Sequence, residues 1–226
     1  MKQYVCIKID VVESRKIDYQ AWLKGLTKML REEVEDFVID PTRRAGDEIF
    51  MVLSSMRDAW RCLRVLLRAL HETEHEVYVG LGRGEISGAH EGSEGVEGSA
   101  VWRASDALLG LKEDAKSELL DVISKGPLRY NIMVDDEAGV NAYHLQNLFA
   151  ILSRMLERTA LQQRASDLKY FYPDQNNTWF AGELFSGAGG KHAETNFSKH
   201  LSRANHKLLT EMEETFIGYF DQGSES

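Results

Sequence analysis

Three acidic side chains lie beside apolar strand segments and are the residues best placed to do chemistry. Asp10 lies near the end of the apolar, β-branched segment 4–12, and Asp47 and Glu48 come directly before the apolar run 49–53. Carboxylates at the start or end of a buried strand are costly unless they are solvated, paired or bound to a metal. Hard oxygen ligands of this kind suit Mg²⁺, so metal binding is one of the three roles open to these acids.

The same carboxylates suit phosphoryl chemistry, because two divalent ions can activate a hydroxyl group and stabilise a leaving pyrophosphate. Asp47 and Glu48 are the candidate catalytic residues in that chemistry. Guanidinium groups bind phosphate oxygens through paired hydrogen bonds. The predicted nucleotide-binding residues are Arg43, Arg44, Arg83 and Arg103. The alternative is structural: the acids end a strand or finish a hairpin turn, and pair with a neighbouring arginine.

Hydrophobic periodicity predicts strands and helices that alternate along the first part of the chain. Predicted strands cover residues 4–12, 37–40, 49–53, 76–86 and 125–134, and predicted helices cover 18–37, 57–73, 99–112 and 119–123. Asp18 is the predicted N-cap of the first helix. The acidic, Gly-rich segment 88–98 is assigned no regular structure. The resulting order, β-α-β-β-α-β-α-β, is typical of an α+β fold.

Beyond residue 136 the composition changes to amphipathic helices, which predicts two domains, 1–136 and 137–226. Predicted helices there cover 141–164, 178–185 and 195–209, and the segment 211–220 continues or follows the last one. A short helix, a turn and a helix with polar and basic residues on one side form the helix-turn-helix pattern of DNA-binding proteins.

In that pattern the last helix presents polar and basic side chains to DNA. The predicted DNA-binding residues are Asn196, Ser198, Lys199, His200 and Arg203, and the residues predicted to pack inward are Phe197, Leu201 and Leu208. The connection 186–194 is longer than the three- or four-residue turn of the motif. A helical cap or a dimerisation module is therefore the alternative.

Charge and apolar content limit the classes of partner. The formal net charge of −9 argues against a general nucleic-acid coat, although residues 191–209 form a small basic patch. No apolar run approaches the roughly 20 residues of a membrane span, and no secretory signal is apparent at the N-terminus. Cys6 and Cys62 lie in apolar surroundings and are predicted to be buried thiols of a reducing cytoplasm. The prediction is a cytoplasmic protein that binds no membrane.

The order of these segments resembles the palm domain shared by nucleotidyl cyclases, diguanylate cyclases and related polymerases. In that superfamily an aspartate at the end of the first strand and another in the hairpin hold two divalent ions, and Asp10 and Asp47 match these positions. The resemblance therefore implies Mg²⁺ or Mn²⁺ bound by Asp10, Asp47 and the adjacent Glu48. The segment AGDEI (45–49) resembles the GGDEF hairpin of diguanylate cyclases. The segments VGLG (79–82) and GSAV (98–101) resemble the later strand and helix start of class III cyclases.

A resemblance over nearly the whole chain is to the SatD family, bacterial proteins of poorly defined biochemistry. It rests on IDVVESRKI, RRAGDEIFMVL, VGLGRGEI, SAVWRASDAL and KHLSRANHKLL in this order. It implies a ferredoxin-like palm of order β-α-β-β-α-β, followed by an all-helical helix-turn-helix domain. Since palm domains often pair head to tail, the resemblance also implies a homodimer.

Two functions from different classes remain open. The first is a nucleotide- or metal-sensing bacterial regulator that binds DNA through its C-terminal helices. The second is a metal-dependent nucleotidyl cyclase or nucleotidyltransferase that uses an NTP, with Asp10 and Asp47 as metal ligands. Class III cyclases carry an asparagine, and an arginine four residues later, where this chain has Trp102 and Asp106. That departure removes ribose positioning and charge support, so the sequence favours the regulator.

Overall fold

The computed structural model describes residues 2–13, 19–44, 46–71, 73–113, 117–185 and 192–221. Within these ranges the predicted α+β class is confirmed, with one five-stranded mixed sheet and nine α-helices. The predicted cap Asp18, the hairpin residue Ala45 and most of the predicted turn 186–194 lie outside the described residues.

The sheet contains β1 (Tyr4–Val11), β2 (Phe37–Arg44), β3 (Glu48–Leu53), β4 (Val77–Gly84) and β5 (Leu128–Met133). The strand order is β2-β3-β1-β4-β5, and only the β4–β5 pair is parallel. The helices are α1 (Gln20–Glu33), α2 (Met56–His71), α3 (Ser99–Lys112), α4 (Glu118–Ile123), α5 (Ala138–Leu156), α6 (Ala160–Phe171), α7 (Asn177–Leu184), α8 (Ala193–Arg203) and α9 (His206–Asp221).

The chain forms two compact units, one of residues 1–149 with 217–226 and one of residues 150–216. Both limits of the second unit fall inside long helices, α5 and α9. A change of composition cannot mark a limit of that kind, because the helix continues across it. The predicted domains 1–136 and 137–226 stay a prediction.

Alternating side chains of β1 give the first unit two apolar layers. Val5, Ile7 and Ile9 are buried on the face covered by α1 and α2. Cys6 lies on the opposite face, in a core with Phe50 and the small residues of α3. Both cysteines are buried free thiols, as predicted, and burial raises the pKa of Cys6 to about 12.

Alternate glycines of β4 allow α3 to lie directly on the sheet. A Cβ atom on Gly82 would lie 2.2 Å from the carbonyl oxygen of Ala100 and 2.2 Å from the backbone nitrogen of Ala104. A Cβ atom on Gly80 would lie 2.3 Å from the carbonyl oxygen of Ala104. These glycines therefore serve close packing of helix against strand.

Several predicted element limits are wrong, and each has a local cause. The predicted helix 141–164 is two helices, because Thr159 begins α6 with a capping box that also uses Gln162. The predicted helix 195–209 is also two, because Asn205 adopts a left-handed backbone (φ 50°) between α8 and α9. The segment 88–98 is largely irregular, as predicted, with a short 3-10 helix over Ala89–Glu91 and a bridge in which Ser87 and Glu97 pair.

The close approach of α3 to β4 predicts that Gly82→Ala destabilises the protein by about 2 kcal/mol or more, since backbone atoms cannot yield to the added methyl group. Urea unfolding measures the difference. Gly25→Ala on α1 is the matched control, because nothing lies within 4 Å of the point that its Cβ atom would occupy, and the same methyl group should stabilise the helix by about 0.5–1 kcal/mol. Equal effects at the two positions would contradict the packing argument.

Candidate functional site

Asp10 and Glu48 are direct partners in the antiparallel register of β1 and β3. Directly opposite residues project from the same face of a sheet with Cβ atoms about 4.5–5.5 Å apart. Asp47 lies in the turn before β3 and is half-buried. The structure therefore places Glu48 directly opposite Asp10, whereas the sequence had favoured Asp47 as the partner of Asp10.

Each of the two carboxylates has a lysine beside it. The Lys112 ammonium, at the last residue of α3, forms an ion pair with Asp10. The Lys8 ammonium lies 3.6 Å from a Glu48 carboxylate oxygen. The carboxylates are only 14% and 21% exposed, for Asp10 and Glu48 respectively. These four side chains form an alternating charge cluster in which neither acid is alone.

Arg44 adds a third cation to this cluster. It is the register partner of Glu48 across β2 and β3, and its guanidinium carbon lies 3.5 Å from the centre of the Phe50 ring. Stacking of this kind fixes a guanidinium group while its edge remains able to bind an anion. Three cations against two carboxylates give the cluster a positive balance that suits a phosphate group.

The donor set is the minimum for a divalent ion and falls short of a resident metal centre. Among the residues that the structure describes, no group of three His, Cys, Asp or Glu side chains could hold a metal ion. Mg²⁺ often takes one or two carboxylates and completes its shell with phosphate oxygens and water. An ion carried on a nucleotide would have to displace the ammonium groups of Lys8 and Lys112. The Mg²⁺ or Mn²⁺ predicted for Asp10, Asp47 and Glu48 stays a prediction.

The four predicted nucleotide-binding arginines do not form one cluster. Arg43 lies on the other side of β2 from Arg44 and hydrogen-bonds Gln20 of α1. Arg83 pairs with Val5 at the far end of β4, five residues along from the partner of Asp10. That separation is about 16 Å at the usual rise of a strand.

Arg103 fixes α3 to the same far end of the sheet through hydrogen bonds of its guanidinium group. Its Nη1 group donates to the carbonyl oxygens of Arg83, at 2.8 Å, and Val134, at 3.0 Å. Its Nη2 group donates to Asp136 at 2.8 Å. These bonds engage much of its hydrogen-bonding capacity. The nucleotide role predicted for Arg43, Arg83 and Arg103 stays a prediction, but these residues lie apart from the Asp10 cluster.

Sequence reasoning missed the lysines and Tyr78. The Lys112 ammonium lies 6.0 Å from the Tyr78 ring centre, and Arg129 donates to the Tyr78 hydroxyl at 2.9 Å. The sequence could have indicated Lys8, since it lies two residues before Asp10 on β1 and therefore on the same face of the sheet. It could not have indicated Lys112, because the position of Lys112 depends on where α3 crosses the sheet.

In the second unit, α6, α7 and α8 pack around an aromatic core. The rings of Phe180 and Phe197 stack with their centres 5.0 Å apart, and Ala165 and Leu184 complete the core. The predicted inward positions of Phe197 and Leu201 agree with this packing. The prediction for Leu208 is wrong, since its side chain is 57% exposed. The break between α8 and α9 rotates the residues of α9 relative to the continuous helix that the sequence predicted, so Leu208 no longer faces inward.

Four of the five predicted DNA-binding residues are exposed on α8: Asn196, Ser198, Lys199 and Arg203. His200 is half-buried, with its ring centre 6.3 Å from that of Phe185. The Ser198 hydroxyl donates to the Glu194 carbonyl oxygen at 3.0 Å within the helix. The exposed residues thus form a polar and basic surface on a helix that is held by its opposite side.

A buried polar network fixes the C-terminal end of α8. The Arg158 Nε group donates to the Ala204 carbonyl oxygen at 3.0 Å, and its Nη1 group donates to the Ser166 hydroxyl at 3.0 Å. Ser166 lies 2.9 Å from His206 Nδ1 at the start of α9. Because Arg158 and Ser166 are buried, these bonds hold the α8–α9 junction in one arrangement.

A comparison of the chain with protein-family models and with curated proteins finds no match. The resemblance to the SatD family and to palm domains therefore stays a prediction. Among the described helices, none has the length and apolar character that crossing a bilayer requires.

Arg83 contributes to a second environment within the first unit, around His144 of α5. The His144 ring lies 4.7 Å from that of Tyr219 and 4.8 Å from that of Phe220, and Arg83 donates to the Phe220 carbonyl oxygen at 3.1 Å. Burial, and then the charge of Arg83, lower the pKa of His144.

We therefore expect His144 to make stability depend on pH. Its folded pKa lies below the unfolded value of about 6.5, so its contribution is complete above that pH and is lost as pH falls below it. Urea unfolding of the wild type and of His144→Phe from about pH 7.5 to 5.5 tests this. The variant should lose less stability on acidification. An identical pH dependence of the two proteins would contradict the assignment.

Proposed function

We propose that the chain is a DNA-binding regulator and that α6, α7 and α8 act as its helix-turn-helix module. The observation that carries the proposal is the two-sided character of α8. Phe197 anchors one side in the Phe180 core, while Lys199 and Arg203 are exposed on the other. A helix presented in this way fits the major groove of DNA, which is about 12 Å wide.

Each exposed residue of α8 has a role in this proposal. Lys199 and Arg203 are four residues apart and so lie on one side of the helix, where they bind phosphates. Asn196 and Ser198 contact base edges, which supply sequence preference. His200 contributes less than the sequence predicted, because its ring packs on Phe185.

The first unit serves in this proposal as a ligand-sensing palm domain. The strand order β2-β3-β1-β4 and the facing of Asp10 and Glu48 support a palm-type, SatD-like assignment. The ammonium partners of both acids favour binding of a nucleotide phosphate over metal-assisted turnover. A homodimer is the expected form, from the resemblance alone, and a cytoplasmic location is expected from the two free thiols.

The DNA proposal predicts that Lys199→Ala/Arg203→Ala weakens binding to a short mixed-sequence duplex by roughly tenfold or more at low salt. Loss of two phosphate contacts should also lower the salt slope of the affinity by about 2. Fluorescence anisotropy at several salt concentrations measures both quantities. Lys125→Ala is the matched control, since this exposed lysine is on the segment after α4 in the first unit. Absence of any DNA binding by the wild type at low salt would reject the proposal.

The position of Asp10 directly opposite Glu48 favours a second candidate function, that of a metal-dependent nucleotidyl cyclase or nucleotidyltransferase. In this candidate Asp10 and Glu48 would hold Mg²⁺ or Mn²⁺ delivered with an NTP, and the bound ions would stabilise the charge of the leaving pyrophosphate. Arg44 and Lys8 lie beside them and would orient phosphate oxygens.

This candidate predicts pyrophosphate release from at least one of the four NTPs with Mg²⁺ or Mn²⁺, lost in Asp10→Asn and in Glu48→Gln. Asp47→Asn is the matched control, and it should retain turnover because Asp47 lies in the turn. A coupled pyrophosphate assay measures all four proteins. Absence of turnover by the wild type would reject the enzyme and leave the regulator. Loss of turnover in Asp47→Asn alone would identify Asp47, which the sequence favoured, as a metal ligand in place of Glu48.

A further inference from the structure

An open groove of about 880 Å³ runs between α1 and the β2–β3 hairpin in the first unit. Ile49 and Arg43 line it from the sheet, and Ala21, Leu23 and Thr27 line it from α1. Its lining is mainly apolar. Ile49 alternates with Glu48 on β3, so this groove, the α1 groove, lies on the opposite sheet face from the Asp10 cluster.

Cationic side chains dominate the rim of the α1 groove. Lys24, Lys28 and Arg31 of α1 line it together with Arg43, and Glu32 is the one acid among the lining residues that the structure describes. The three α1 cations are spaced i, i+4 and i+7 and so form one stripe. The stripe is about 10 Å long at the rise of an α-helix. Although the chain has a net charge of −9, this stripe attracts anionic groups locally.

The rim cations are held in place and remain able to bind. Arg31 donates to the Pro41 carbonyl oxygen at 3.1 Å, which fixes its guanidinium group at the groove wall. Lys28 lies 3.6 Å from Glu32 in an exposed ion pair, and pairs of this kind are weak and easily exchanged. Lys24 is exposed and has no ion-pair or hydrogen-bond partner within the described ranges.

We infer that the α1 groove binds an acidic amphipathic helix of a partner protein. Apolar side chains of that helix would fill the groove, and carboxylates spaced one turn apart would pair with the cation stripe. This is the general mode in which an amphipathic helix lies in an apolar groove. It does not depend on the proposed DNA binding.

The layout of the groove favours this partner over two other anions. The phosphates of a nucleotide need cations that converge on one point, whereas the α1 cations follow a line. The backbone of DNA is a line of charge, but it has no apolar side chains to bury against the mainly apolar lining. An acidic amphipathic helix satisfies both features.

The test uses the full chain and a fluorescein-labelled synthetic helical peptide with leucines on one face and glutamates along both edges. Anisotropy at low salt should show binding that weakens with added salt. Lys24→Ala/Lys28→Ala should weaken it roughly fivefold, since exposed ion pairs are individually small. Lys125→Ala is the control and should leave it unchanged. Hydrogen exchange should show protection at residues 20–33.

Three results would overturn the inference. They are no peptide binding by the wild type at low salt, equal binding by wild type and the double variant, and equal binding of a peptide in which glutamine replaces every glutamate. Binding of GTP or of duplex DNA that depends on Lys24, without peptide binding, would also overturn it and assign the groove to that ligand. Unchanged circular dichroism of the exposed double variant separates loss of binding from loss of folding.

Discussion

The first unit depends on the close contact between α3 and the glycines of β4. With no side chains at Gly80 and Gly82, the helix lies on the strand backbone, which fixes its height and direction over the sheet. Hydrogen bonds of Arg103 fix one part of α3 to the ends of the strands. Lys112, the last residue of α3, forms an ion pair with Asp10. One packing constraint thereby positions a residue of the candidate site.

The position of Lys112 decides the chemistry that the carboxylates can perform. Acids that face one another across two strands repel, and the cluster is stable because ammonium groups lie beside them. The same ammonium groups compete with a divalent ion and attract phosphate. Lys8, Lys112 and Arg44 can therefore bind an anion without a metal, and for this reason we propose sensing rather than turnover.

The second unit holds α8 by one of its sides and by its C-terminal end. Apolar packing around Phe197 holds one side of α8. The buried bonds of Arg158 hold its end, where carbonyl groups would otherwise lack partners. The exposed basic surface thus rests on a rigid support, and binding to DNA would cost little ordering entropy.

The sequence by itself determined the α+β class, the order of the elements up to β5 and the limits of α3, because alternation and helical periodicity are local properties. It also identified Asp10 and the hairpin acids. Only the tertiary structure decided that Glu48 faces Asp10, because a register depends on strand pairing. It alone placed Lys112 beside Asp10 and Arg83 at the far end of the sheet, since the contacts of residues distant in sequence are set by packing and not by local pattern.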